Sequence, residues 1–118
     1  MVVGLGPLLW LAAGPLHSGP ADAFPPRLYD QTLAGTCWVV VGEGESPRTG
    51  TGWLVDQSRR LVVTNQHVVG DAKAAVVLFP LFHQGQPVTG RVFYTRNRPH
   101  MIHALLLDSD ERRDLAIL

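Results

Sequence analysis

The chain has one cysteine, Cys37, which excludes an internal disulfide and a cysteine-built zinc site. Charge is sparse: 17% of residues are charged and the formal net charge is zero. No basic field therefore favours nucleic acid or an anionic membrane surface. Like charges run no further than Arg59-Arg60 and Arg112-Arg113. A bilayer-spanning tract is missing too, because the apolar run from Val2 to Ala13 is too short to cross. No Lys or Arg stands before Arg27, so that run lacks the basic start common in export signals. The serines are four, Ser18, Ser46, Ser58 and Ser109. No internal repeat or low-complexity tract is present.

What remains is a chain of 118 residues, 46% hydrophobic, enough for the core of one small domain. The apolar start, then Gly14-Pro15 and Ala21-Asp22-Ala23, fits an exported protein, periplasmic or secreted. A disordered or mis-started leader and an interfacial anchor are the competing readings. Pro20 to Pro26 has linker composition, which divides the chain into a leader and linker at 1–26 and a domain at 27–118. Leu28 to Leu33 reads as one helical turn or an extended lead-in. From Gly35 onward the pattern is β. The expected strands are Thr36 to Val41, Thr51 to Val55, Arg60 to Thr64, Ala74 to Phe79, Val88 to Thr95, Ile102 to Leu107 and Asp114 to Leu118. Gly42 to Pro47, Asp56 to Arg59 and Asp108 to Arg113 are the turns. About seven short strands, with no helix of about ten residues or more, predict an all-β barrel or sandwich.

Two titratable residues stand where strands begin or end. His67 lies just past the strand ending at Thr64, with Val68 and Val69 able to pack beneath it; Asp114 opens the apolar run Leu115 to Leu118. A hydroxyl nucleophile needs a neutral imidazole, and the imidazole needs a carboxylate to fix its tautomer. A partly buried carboxylate at Asp114 would call for an imidazole N–H and backbone donors nearby. Asp108 and Asp110 are the rival carboxylates but read as solvated turn residues, and the segment lacks the later glycine and glutamate of a calcium loop. His83, His100 and His103 read as solvated loop histidines, so no metal is expected. Cys37, Trp38 and Trp53 read as core residues on strands. Gly50 and Gly52 do not form a phosphate loop, because no helix and no Lys-Ser/Thr follow.

Gly50-Thr51-Gly52-Trp53-Leu54-Val55, followed by Leu61-Val62-Val63-Thr64-Asn65-Gln66-His67-Val68-Val69, resembles the segment around the active-site histidine of trypsin-like serine peptidases. The likeness is nearest to the bacterial HtrA/Deg branch, and Arg113-Asp114-Leu115-Ala116-Ile117-Leu118 resembles that branch's catalytic-aspartate segment. The resemblance implies the first β-barrel of a chymotrypsin-like double-barrel fold. It also implies a serine endopeptidase acting on polypeptides without a cofactor, with His67 as general base and Asp114 as its orienting carboxylate. The nucleophile loop of such enzymes is not found in these residues. The expectation is an N-terminal half, inactive alone, whose partner is the second barrel of the same protease. Two other readings stay open: a degenerate protease-like barrel that binds or regulates, and an interaction domain with chance similarity.

Overall fold

A computed structural model describes residues 25–118. The apolar run from Val2 and the Ala21-Asp22-Ala23 site lie outside the described residues. Four strands and a short helical turn form the centre: β1 (Thr36–Val41), β2 (Arg48–Asp56), β3 (Leu61–Thr64), α2 (Gln66–Val69) and β4 (Ala74–Leu78). A helix α1 (Pro26–Gly35) precedes them. After them come a small hairpin, β5 (Phe82–His83) and β6 (Gln86–Pro87), and helix α3 (Arg91–Arg96). The last strands are β7 (Ile102–Leu105), β8 (Asp108–Asp110) and β9 (Leu115–Ile117).

Period-two burial explains the strands. Along β1, Cys37, Val39 and Val41 point inward, and β3 turns Val62 and Thr64 the same way. Ala75 and Val77 of β4, Ala116 of β9 and the following Leu118 complete one core with Val68 and Val69 of α2. Val39, Val69 and Val77 are its largest fully buried side chains, each worth about 1.5–3 kcal/mol relative to exposure. Thr64 is the buried polar exception, and its hydroxyl donates to the Thr51 carbonyl at 2.8 Å, so no buried polar group is stranded there.

The strands form an antiparallel seven-stranded sheet in the order β7-β4-β1-β2-β3-β9-β8. Its first and last members, β7 and β8, are consecutive pieces of chain joined by Leu106 and Leu107. The Leu106 N–H donates to Lys73 O at 2.9 Å and the Leu107 N–H to Ile117 O at 2.8 Å. The sheet therefore curls until its two ends meet through one bent segment. The expected all-β architecture forms, as a curled sheet consistent with a partial chymotrypsin-like barrel.

Several local expectations are corrected. Val88 to Thr95 is not a strand: Arg91–Arg96 is helical. β4, the sheet strand before it in the chain, already has β1 and β7 as neighbours, so the segment cannot pair with that strand. Tyr94 ties it down instead, its hydroxyl donating to Val88 O at 2.7 Å and accepting from the Leu81 N–H at 3.0 Å. α1 runs ten residues, longer than the single turn expected, because Pro26 at its first position is pre-shaped for a helix. Asp108 to Asp110 belongs to a strand, since Ser109 and Asp110 pair with Ala116 and Leu115. Trp53 faces outward and is 54% exposed, because its neighbour Gly52 takes the inward position. His103 lies on β7, opposite Val76, rather than in a loop.

Candidate functional site

β3 delivers His67. After Thr64 the chain stays extended at Asn65, then makes the single turn of α2. The Val68 N–H donates to Asn65 O at 3.2 Å and the Gly70 N–H to Gln66 O at 2.7 Å. Val68 and Val69 are buried, whereas the His67 side chain is 69% exposed. The turn can sit this low because of Gly50 on β2. A Cβ there would overlap both methyls of Val68. Gly52, two residues on, faces the core as well; a Cβ there would stand 2.8 Å from Cys37 Sγ, Val39 Cγ2 and Val62 Cγ1. The Gly-Thr-Gly run is thus a contact surface for the segment that carries the histidine.

Asp114 reaches the same place from the β8–β9 turn. Its φ is +53°, the left-handed region that aspartate tolerates better than most residues. That bend aims the carboxylate at α2. Oδ1 accepts the backbone N–H of His67 at 2.8 Å, and Oδ2 lies 2.7 Å from His67 Nδ1. Asn65 Nδ2 donates to Oδ2 and to the Asp114 carbonyl, both at 3.2 Å. One carboxylate therefore grips the histidine by backbone and ring together.

The electrostatics favour the ionised carboxylate. The His67 backbone N–H, then the ring bond, hold Asp114 below the usual aspartate range against a smaller desolvation penalty, with His67 charge and Asn65 adding to the effect. An ionised Oδ2 can only accept, so Nδ1 carries a proton, and in the neutral tautomer of the ring the lone pair falls on Nε2. Among the described residues no side chain hydrogen-bonds Nε2. The arrangement is chemically a base with its acceptor atom turned to solvent. Asp114 is 43% exposed on its side chain, more open than the partly buried setting expected from sequence, because the turn lies at the rim of the sheet.

The other residues weighed from sequence fall elsewhere. Asp110 pairs with Arg113 at 2.6 Å, and Asp108 Oδ1 accepts the Ser109 N–H at 2.8 Å. The Cys37 thiol is pushed up to about 11, burial outweighing a backbone hydrogen bond from Gly52, so it is unreactive at neutral pH. Among the described residues no group of three or more His, Cys, Asp or Glu could hold a metal. None of these residues' helices is long and apolar enough to cross a membrane. Cavities of about 460, 370 and 330 Å³ are lined by residues other than His67 and Asp114. Sequence reasoning missed Asn65 and Arg48, whose Nη2 donates to Val69 O at 2.9 Å. A polar side chain between strand exit and histidine was the signal for Asn65; Arg48 left none.

A family model for the trypsin-like peptidase domain matches residues 50–118, more than half of the chain. No curated protein matches it.

Proposed function

Because the chain belongs to the trypsin-like peptidase domain family, whose substrates are polypeptides, we propose that it carries the base and carboxylate of a serine endopeptidase. His67 is the base and Asp114 the group that orients it. The observation that carries this reading is the 2.7 Å Nδ1–Oδ2 bond combined with an exposed ring.

In the proposed cycle, Nε2 takes the proton of a serine hydroxyl as the oxygen attacks the scissile carbonyl. The resulting imidazolium is stabilised by Asp114 and returns the proton to the leaving amine. Water then repeats the sequence on the acyl-enzyme. The serine and the oxyanion donors would come from a second barrel, because none of the four serines of these 118 residues has the glycine-flanked setting. Ser58, for example, precedes the start of β3 while His67 follows its end. We assign the HtrA/Deg-like branch on the Thr64-Asn65-Gln66-His67-Val68 run, and export on the apolar start of the chain, with 1–26 as leader and linker and 27–118 as the barrel.

The test uses the chain joined to whatever its gene encodes after codon 118. A fluorophosphonate should label a serine there, and His67→Ala should abolish labelling and lower peptide hydrolysis by about a millionfold. Labelling that survives His67→Ala would sink the assignment. The absence of any reactive serine would leave the degenerate, binding barrel as the better reading.

A further inference from the structure

α2 is a single turn of four residues, too short to be stable alone. Its place must be fixed from outside. Val68 and Val69 set its depth by packing into the core, and Asp114 Oδ1 fixes its first half through the His67 N–H. The second half ends on carbonyls that the turn itself cannot satisfy. One of them, Val69 O, accepts the Ala72 N–H at 3.1 Å and, at 2.9 Å, a second donor, Nη2 of Arg48, the first residue of β2 and the partner of Val41. The guanidinium lies against Gly70, whose φ of +54° and ψ of −129° suit glycine, and any Cβ there would overlap Nη1. Among the described residues Arg48 has no acidic partner in an ion pair, so this contact is not a by-product of charge pairing.

We infer that Arg48 is a positioning residue for His67, clamping the C-terminal end of α2 so that the ring and backbone of the histidine stay in register with Asp114. The inference rests on the reading of His67 as the base, but its geometry can be tested without a nucleophile. A cation at a helix C-terminus is favourable on charge alone. The fork of Arg48 adds direction, holding the Val69 carbonyl while the same group lies against Gly70. Lysine at position 48 would keep the charge and lose the plane.

The experiment is nuclear magnetic resonance on the 118-residue chain, comparing Arg48→Met and Arg48→Lys with the parent. Two readouts report the register: amide exchange at His67, and the titration midpoint of the Asp114 carboxyl carbon, which a bond from the His67 N–H holds low. Arg48→Met should speed His67 exchange by about two- to fivefold and raise the Asp114 midpoint, while exchange in the β1–β2 ladder stays unchanged. Arg48→Lys should restore part of both effects. An unchanged Asp114 midpoint in Arg48→Met would overturn the clamp. So would complete recovery in Arg48→Lys, which would mean charge at a distance, and so would a matching rise in β1–β2 exchange, which would mean general loosening. Failure here would leave serine labelling and its loss in His67→Ala untouched, so the two readings stand or fall separately.

Discussion

The turn joining β2 to β3 and the turn joining β8 to β9 are built from the same parts. In the first, Asp56 pairs with Leu61 across Gln57-Ser58-Arg59-Arg60; in the second, Asp110 pairs with Leu115 across Glu111-Arg112-Arg113-Asp114. The opening aspartate accepts the N–H three residues on, from Arg59 at 2.8 Å and from Arg113 at 3.0 Å. It also faces that arginine's side chain, at 3.7 and 2.6 Å. Each turn closes through a 3.3 Å backbone bond, Arg60 N–H to Gln57 O and Asp114 N–H to Glu111 O. Each ends on a left-handed residue, φ +58° at Arg60 and +53° at Asp114. The difference is which side chain occupies that last position and what lies in front of it. Arg60 borders a cavity beside Gln57 and Leu54, whereas Asp114 faces α2. The lesson is that the bend is a general device of this chain, and the chemistry enters through one residue placed on it.

The sharpest way to break the comparison is to change the last residue of each turn alike. If a longer product labels with the fluorophosphonate, Asp114→Asn in it should lower turnover by about ten-thousandfold, since an amide can donate to Nδ1 and stabilise the wrong tautomer. Asparagine also tolerates the left-handed bend, so the fold should survive. Arg60→Asn should leave turnover within about twofold, because a substitution away from the site and its partners perturbs little. Peptide hydrolysis decides it; equal losses at the two turns would mean the bends, not the carboxylate, matter.

The partner of the second turn can be moved instead of the turn. Gly50→Ala pushes a methyl against Val68 and should lift α2, costing about 1–3 kcal/mol as overpacking does and loosening His67 from Asp114. The β2–β3 turn contacts none of this and should keep its exchange rates. Denaturant midpoints together with amide exchange at Arg59 and His67 measure both halves, and a uniform loss would show that the two turns are not independent.

How much of this could be read from the amino acids depends on where the controlling forces lie. β1 was legible to its last residue because Thr36 to Val41 is β-branched or apolar and bounded by glycines. The contact of His67 with Asp114 was legible only through the resemblance, whose first motif agrees at many positions at once. The helix Arg91–Arg96 was not, since its pattern alternates like a strand, whereas β4 already has both its neighbours and Tyr94 ties the segment down through Val88 and Leu81. Nor was the helical length of α1, nor β8, whose Asp-Ser-Asp sequence has turn composition but finds β9 as a partner. Arg48 and Asn65 act through contacts made in the folded state, across 21 and 49 residues. The place of Asn65 between strand and histidine was a local signal; Arg48 left none.

Acid probes the second turn more gently. Asp114 is held below the ordinary aspartate range first by the His67 N–H, and Asp110 first by the Arg113 side chain. A depressed folded-state value means stability that is present above the unfolded value of about 4 and is lost as pH falls through the folded one. Both residues therefore contribute to acid unfolding with the same sign. Asp114→Asn should flatten the decline below about pH 4 without removing the part due to Asp110, as read from urea midpoints across that range. An unchanged slope would mean that the Asp114 bonds do not outlast the competition with water at this exposed rim.

The smallest effect comes from the bend itself. A left-handed residue other than glycine costs about 1–2 kcal/mol, while glycine adds backbone freedom to the unfolded chain worth about 0.5–1 kcal/mol. Arg60→Gly should therefore be neutral to slightly stabilising, by about 0.5 kcal/mol, with the midpoint of thermal unfolding raised by a few degrees at most. Asp114→Gly relieves the same backbone strain but removes both acceptors of His67 and the Asn65 contact with the carboxylate, so its sign should reverse. Thermal melts of the two glycine variants side by side measure the carboxylate with the bend subtracted. If both variants are stabilised equally, the bonds from Asp114 to His67 orient the ring without contributing to the stability of the fold.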